Sequence, residues 1–244
     1  MVLQKYCASG NDFLIFHAFK KEDRTVLAKE LCDRHYGFGA DGLIVLVPHD
    51  ELDFEWQFYN SDGSEASMCG NGTRAAGLYA YDNQLAGKKQ SFLTGAGVIK
   101  TEIYETNTVE TELTEPKEIM EKFSENGFEW ALIDTGVPHL VTSCAKGFFD
   151  KEIAREIRHK YNANVNFYHF DKERLYVRTF ERGVEDETLA CGTGMAACAY
   201  NVSKTSDIEE FLVLPKSNEN ITIKVKKTQI LFKGEVKRVG SCLV

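Results

Sequence analysis

The chain has 244 residues, a formal net charge of −8 at pH 7, and 43 % apolar residues. That composition supports a buried core, and the acidic balance argues against nucleic acid or an anionic membrane as the main partner, because both reward clustered Lys and Arg. The longest apolar runs, such as residues 43–47, are far too short to span a bilayer, and residues 1–6 show no signal-peptide pattern, so a cytoplasmic protein is expected.

In chain order, alternation and composition predict a strand at 12–17 and a helix with a charged face at 25–35. Strands follow at 42–47 and 54–59. A Cys69-Gly70 turn then opens an Ala-rich helix at 72–81, and strands at 98–104 and 108–113 close the first half. The charged stretch 114–126, with Pro116, reads as a linker. The second half runs the same way: strand 139–142, helix 150–161, strands 164–170 and 175–180, a Cys191-Gly192 turn, and an Ala-rich helix at 194–202. Strands at 211–214, 221–225 and 230–232 complete it. Both Ala-rich helices are weakly polar and bounded by glycine, so burial on most sides is expected.

The likeness of the halves is residue by residue. Cys69, Gly70 and Gly72 match Cys191, Gly192 and Gly194 at an offset of 122. Phe58, Asn60 and Glu65 precede Cys69 by the same spacings with which Phe180, Arg182 and Glu187 precede Cys191. Further upstream, residues 27–31 resemble 153–157 and residues 10–13 align with 136–139, both at an offset of 126. The pattern predicts an internal duplication. The expected fold class is α+β: two pseudo-symmetric domains, each a strand-rich barrel around a central Ala-rich helix, with the active site in the cleft between them. The expected domains are 1–114 with a C-terminal strand at about 236–244, and 115–235.

A helix N-terminus carries unpaired N–H groups and the positive end of the helix dipole. It binds carboxylates, and it favours the thiolate of a cysteine placed there, whose ordinary pKa is about 8.5. Two such ends facing each other could hold one substrate carboxylate and set a sulfur on each side of the neighbouring carbon. One thiolate would remove a proton and the opposite thiol would return one, inverting the stereocentre. The carboxylate donors would also stabilise the enolate-like intermediate. No cofactor is needed for that chemistry. The seven cysteines are odd in number and scattered, so reduced thiols are expected. No Cys-x-x-Cys or His-x-x-x-His pair suggests a metal. Cys7, Cys32, Cys144, Cys198 and Cys242 read as small buried side chains.

The run Asn60-Ser61-Asp62-Gly63-Ser64-Glu65-Ala66-Ser67-Met68-Cys69-Gly70-Asn71-Gly72-Thr73-Arg74 closely resembles the first cysteine motif of diaminopimelate epimerases, and Glu181 to Gly194 resembles the second. Gly10-Asn11-Asp12-Phe13 and residues 33–42 resemble two further segments of that family. The resemblance implies Cys69 and Cys191 as the acid/base pair. It implies that the backbone N–H groups of Gly70, Asn71, Gly192 and Thr193 hold the reacting carboxylate. Asn11, Asn60 and Asn164 would hydrogen-bond a diamino diacid substrate, and Arg182 would pair with its distal carboxylate. His139 and Glu181 would lie near the thiols and tune their proton affinity, with Glu181 also at the substrate. A homodimer is a further expectation.

Three departures stand out. Val137 occupies the place of an asparagine in the family's Gly-Asn-Pro-His segment and cannot supply its hydrogen bonds. The stretch from Glu181 to Cys191 is one residue longer than usual. Gly42 stands where many members have glutamine, and a tyrosine linked to dimer packing is replaced near Gly240. Two other classes stay open at this level. One is a related racemase or isomerase with another substrate, although Asn71 differs from the histidine of proline-racemase motifs. The other is a metabolite-binding or redox-sensing protein in which Cys69 and Cys191 form a switch.

Overall fold

The computed structural model describes residues 1–227 and 229–244, with residue 106 described by its backbone alone. It divides into two units, Met1–Glu112 with Gly234–Val244, and Leu113–Lys233.

In the first unit, β1 (Val2–Ala8), β2 (Asn11–His17), β3 (Gly42–Val47), β4 (Phe54–Asn60), β5 (Lys89–Thr94), β6 (Gly97–Ile103) and β7 (Thr108–Leu113) neighbour one another in sequence order. The strand β16 (Gln229–Leu243) neighbours β7, and its later part pairs antiparallel with β1, Ala8 opposite Val236, which closes the ring at eight strands. Inside it lies α2 (Gly70–Asp82), buried at every position from Gly70 to Ala80. Its small alanines let the strands approach, and Ile15, Ile44, Trp56, Phe92 and Ile103 pack in the same cluster. The amphipathic α1 (Thr25–Cys32) covers a second cluster with Ala28, Leu31 and Cys32.

That helix ends three residues earlier than its 25–35 pattern predicts. The Asp33 carboxylate accepts from the backbone N–H of His35 and of Tyr36, both at 2.7 Å, which turns the chain out of the helix.

The second unit contains β8 (Lys117–Glu125), β9 (Phe128–Asp134), β10 (Pro138–Ser143), β11 (Asn164–Phe170), β12 (Arg174–Glu181), the two-residue β13 (Asp186–Glu187), β14 (Glu210–Leu214) and β15 (Ile221–Lys226). The spatial order is β16-β15-β14-β12-β11-β10-β9-β8, with β13 paired to β12. These strands pack on α4 (Gly192–Ser203), whose Met195, Ala196, Ala197, Cys198 and Ala199 are all buried. On another face, α3 (Lys151–Tyr161) sets Ala154 and Ile157 against Trp130, Leu140 and Phe167. The Asp150 carboxylate caps it by accepting from the N–H groups of Glu152 and Ile153 at 3.0 Å.

The stretch 114–126 is not a linker. Most of it is β8, an edge strand whose residues 117–122 are all exposed and whose pairing with β9 shifts register twice. Charge and irregularity are how edge strands resist further pairing, and they hid this one from the sequence pattern.

The duplication extends to strand register. Parallel β2 and β3 pair Phe13 with Gly42, and parallel β10 and β11 pair His139 with Asn164, the positions predicted by the two offsets. Among the described residues no helix is long and apolar enough to cross a membrane.

Candidate active site

In each unit one end of the strand array collects the residues singled out by the sequence. In the first unit these are the starts of β2 and β3, the end of β4 and the start of α2. Gly42 is opposite both Phe13 and Asn60, so Asn11, Gly42 and Asn60 fall at one edge of three adjoining strands. Gly42 cannot be larger, because a Cβ there would lie 2.6 Å from Cε2 of Phe58 and 2.7 Å from the carbonyl of Tyr59.

Cys69 is the N-cap of α2, and its sulfur accepts from the N–H of Gly72 at 3.3 Å. The helix therefore begins at Gly70, two residues before the predicted start. Asn71 donates from Nδ2 to Oδ1 of Asn11 at 2.7 Å and accepts on Oδ1 from Arg74 Nη2 at 2.8 Å. Asn11 in turn donates to Oδ2 of Asp41 at 3.0 Å. The Asp41 carboxylate also meets Arg34, which reaches Asp12 as well. Hydrogen bonds and charge from Arg34 and Lys5 hold the Asp12 carboxyl below its usual range despite its burial. Asn60 is exposed and donates from Nδ2 to Ser64 Oγ at 3.0 Å.

In the second unit Cys191 is the N-cap of α4. Its sulfur lies 3.5 Å from Oγ1 of Thr193, which lies 2.9 Å from Nε2 of His139. His139 is fully buried, and Asn166 approaches its Nδ1 at 3.1 Å. Burial, with the nearby charge of Arg182 as a lesser cause, pushes the imidazole pKa down to about 3, so it is neutral at physiological pH. Asn164 accepts on Oδ1 from the backbone N–H of Arg182 at 2.7 Å. The Arg182 guanidinium donates to the carbonyl of Asn162 at 3.1 Å and makes no ion pair among the described residues. Glu181 ends β12 and is half-buried.

The neutral histidine gives a stability prediction. Its folded pKa lies below the unfolded value of about 6.5, so between those values the unfolded chain binds the extra proton. Stability should therefore fall as pH drops below 6.5, with His139 contributing up to about 1.4 kcal/mol per pH unit until pH approaches 3. Urea unfolding of the wild type and of His139→Gln across pH 4–7 checks this. Equal pH slopes in the two proteins would remove the assignment.

The two equivalent glutamates are not alike. Glu187 is buried in an ion cluster, with Arg178 Nη2 at 2.7 Å and Lys216 Nζ at 2.8 Å, and it fixes the loop before Cys191. Glu65 is exposed and bridges to Tyr59 through its backbone. Sequence reasoning missed Asn166 and Thr179, which support His139, and Arg74, which orients Asn71. Asn166 had one signal: it lies two residues after Asn164 on a strand and so shares its face.

A family model described as Diaminopimelate epimerase matches residues 3–119. The diaminopimelate epimerase of a Nitratiruptor species is 56 % identical, covering 98 % of this chain and 96 % of that protein. That of Campylobacter jejuni subsp. jejuni is 51 % identical over 97 % of this chain and 96 % of its own length. A solved Bacillus anthracis phenazine biosynthesis protein of the PhzF family superposes with a TM-score of 0.75 at 15 % identity, covering all of this chain and 99 % of that one, so it shares the fold. Identity above one half along almost all of both sequences, joined to a cysteine N-cap repeated in register, places this chain in the diaminopimelate epimerase family.

Proposed function

We propose that this isomerase converts LL-2,6-diaminopimelate into the meso isomer by a two-thiol, cofactor-independent exchange of the α-proton. The observation that carries the reading is the pair of cysteines, each the N-cap of a buried helix at the same place in a duplicated half. One sulfur, as thiolate, takes the α-hydrogen as a proton, and the C–H electron pair moves into the carboxylate. The N–H groups of Gly70, Asn71, Gly192 and Thr193 hold that carboxylate and the charge it gains. The other sulfur, as thiol, gives its proton to the opposite face of the carbon. The two sulfurs end with exchanged protonation states, ready for the reverse turnover.

Asn11, Asn60 and Asn164 hold the amino and carboxylate groups of the substrate, with Glu181 beside them. Arg182 takes the distal carboxylate, which its planar fork suits and which the absence of an ion pair to it among the described residues favours. The place of the reaction is the cytoplasmic synthesis of lysine and peptidoglycan precursors.

The deciding experiment uses LL-diaminopimelate in D2O under reducing conditions with no added cofactor. Deuterium should enter one α-carbon as the meso isomer forms. Val137, in the place of the family's usual asparagine, makes a changed substrate the second reading. If diaminopimelate stays unlabelled while another amino acid exchanges, the substrate assignment fails.

A further inference from the structure

The contact between Cys191 and Thr193 has a proton direction that can be traced from its far end. Asn166 donates from Nδ2 to the carbonyl of Leu140 at 3.0 Å and accepts on Oδ1 from Thr179 Oγ1 at 2.8 Å. These two bonds fix which end of the amide is nitrogen. The remaining N–H of Asn166 therefore donates to His139 Nδ1, 3.1 Å away. A neutral imidazole that accepts on one nitrogen carries its hydrogen on the other, so Nε2–H donates to Thr193 Oγ1 at 2.9 Å; Asn164 Nδ2 lies 3.5 Å from the same nitrogen, too far to compete with that bond. The hydroxyl hydrogen of Thr193 is then available to the Cys191 sulfur at 3.5 Å, and a lone pair remains to accept from that sulfur.

We infer that Thr193 is a positioning residue for the reaction: anchored by His139, its hydroxyl donates to Cys191 as thiolate and accepts from Cys191 as thiol. The inference rests on the two-thiol reading above, in which each sulfur must be base in one direction and acid in the other. A hydroxyl can turn to serve both forms, whereas a backbone N–H can only donate. The first unit is built differently. Asn71 occupies the place of Thr193, its side chain is taken by Asn11 and Arg74, and Cys69 accepts from the N–H of Gly72. His139 is in this arrangement an anchor rather than a base, since Nδ1 is occupied and Nε2 already holds its hydrogen.

The test reads the two cysteines within one molecule. Brief treatment with iodoacetamide under reducing conditions, followed by mass spectrometry, gives the labelling rate of Cys191 relative to Cys69. Thr193→Val should lower that ratio about tenfold, the effect of losing a hydrogen bond to a charged acceptor. Thr193→Ser, which keeps the hydroxyl, should restore it to within about threefold of wild type. In epimerisation the valine variant should lose kcat about tenfold or more while KM changes little, because the missing bond acts on the reacting sulfur. Should valine prevent folding, Thr193→Ala supplies the same comparison. An unchanged labelling ratio in the valine or alanine variant, or a serine variant that labels like valine, overturns the proposal. The labelling needs no substrate, so absent turnover of diaminopimelate by the wild type would defeat the substrate assignment while leaving this test intact.

Discussion

Cys69→Ala and Cys191→Ala should each lower epimerisation about 10³-fold, near the middle of the range for removing a general acid or base. The losses should not differ greatly, because a thiol on one face cannot serve the other. The remaining thiol should still act on its own face. Each single variant should therefore exchange the α-hydrogen of one stereoisomer for deuterium with retention of configuration, and leave the other isomer unlabelled. The two variants should choose opposite isomers. Chiral chromatography with mass detection after incubation in D2O gives both readouts. Inversion within about tenfold of the wild-type rate in either variant would reject the two-thiol mechanism.

The second large effect comes from equivalent glycines that tolerate a methyl group very differently. A Cβ on Gly194 would lie 2.3 Å from Asn166 Oδ1 and 3.2 Å from Thr179 Oγ1. It would collide with the amide that fixes the His139 tautomer, a buried group held by hydrogen bonds to Leu140, Thr179 and His139. Gly194→Ala should cost about 1–3 kcal/mol of stability, the usual range for overpacking, and should reduce turnover as the Asn166 network is displaced. A Cβ on Gly72 would meet nothing closer than the Cβ of Cys69 at 3.3 Å. There the gain of up to about 1 kcal/mol from replacing glycine inside a helix offsets the crowding. Gly72→Ala should therefore stay within about 1 kcal/mol of wild type. Denaturant midpoints of the two variants decide the matter. Equal destabilisation would mean that the contact to Asn166 is not what requires glycine at 194.

Much of the site was legible in the sequence because it lies in short local motifs. A cysteine followed by glycines before an alanine run specifies a helix N-terminus through backbone requirements that two residues can express. The repetition of that motif then predicted a second copy of everything around it, and the matched register of β2/β3 and β10/β11 shows how far the copy extends. The polar layer under Cys191 was legible only in part: the family resemblance named His139 and Thr193, but not Asn166 or the contacts that join the three. Thr193, His139 and Asn166 are far apart in sequence and meet only because two strands and a helix start converge. Strand alternation sets Asn166 on the face of Asn164, but that spacing does not mark an imidazole on the neighbouring strand as its partner. β8 was missed for the opposite reason: an edge strand selected for exposed charge has lost the alternation that identifies strands. The 25–35 helix was overrun because the Asp33 side chain ends it through local hydrogen bonds that amphipathic spacing does not record.

The strand β16 has a consequence for the order of events during synthesis. The first unit is built from residues 1–112 and from 234–244, so its ring cannot close when its own continuous segment emerges from the ribosome. Until β16 arrives, β1 and β7 present two unsatisfied edges, and every residue of the second unit must be made in the interval. The second unit is continuous from Leu113 to Lys233 and carries no such delay. The half that begins first should therefore finish last, and its ring closure, the pairing of highest sequence separation in the chain, should set the slow phase of refolding.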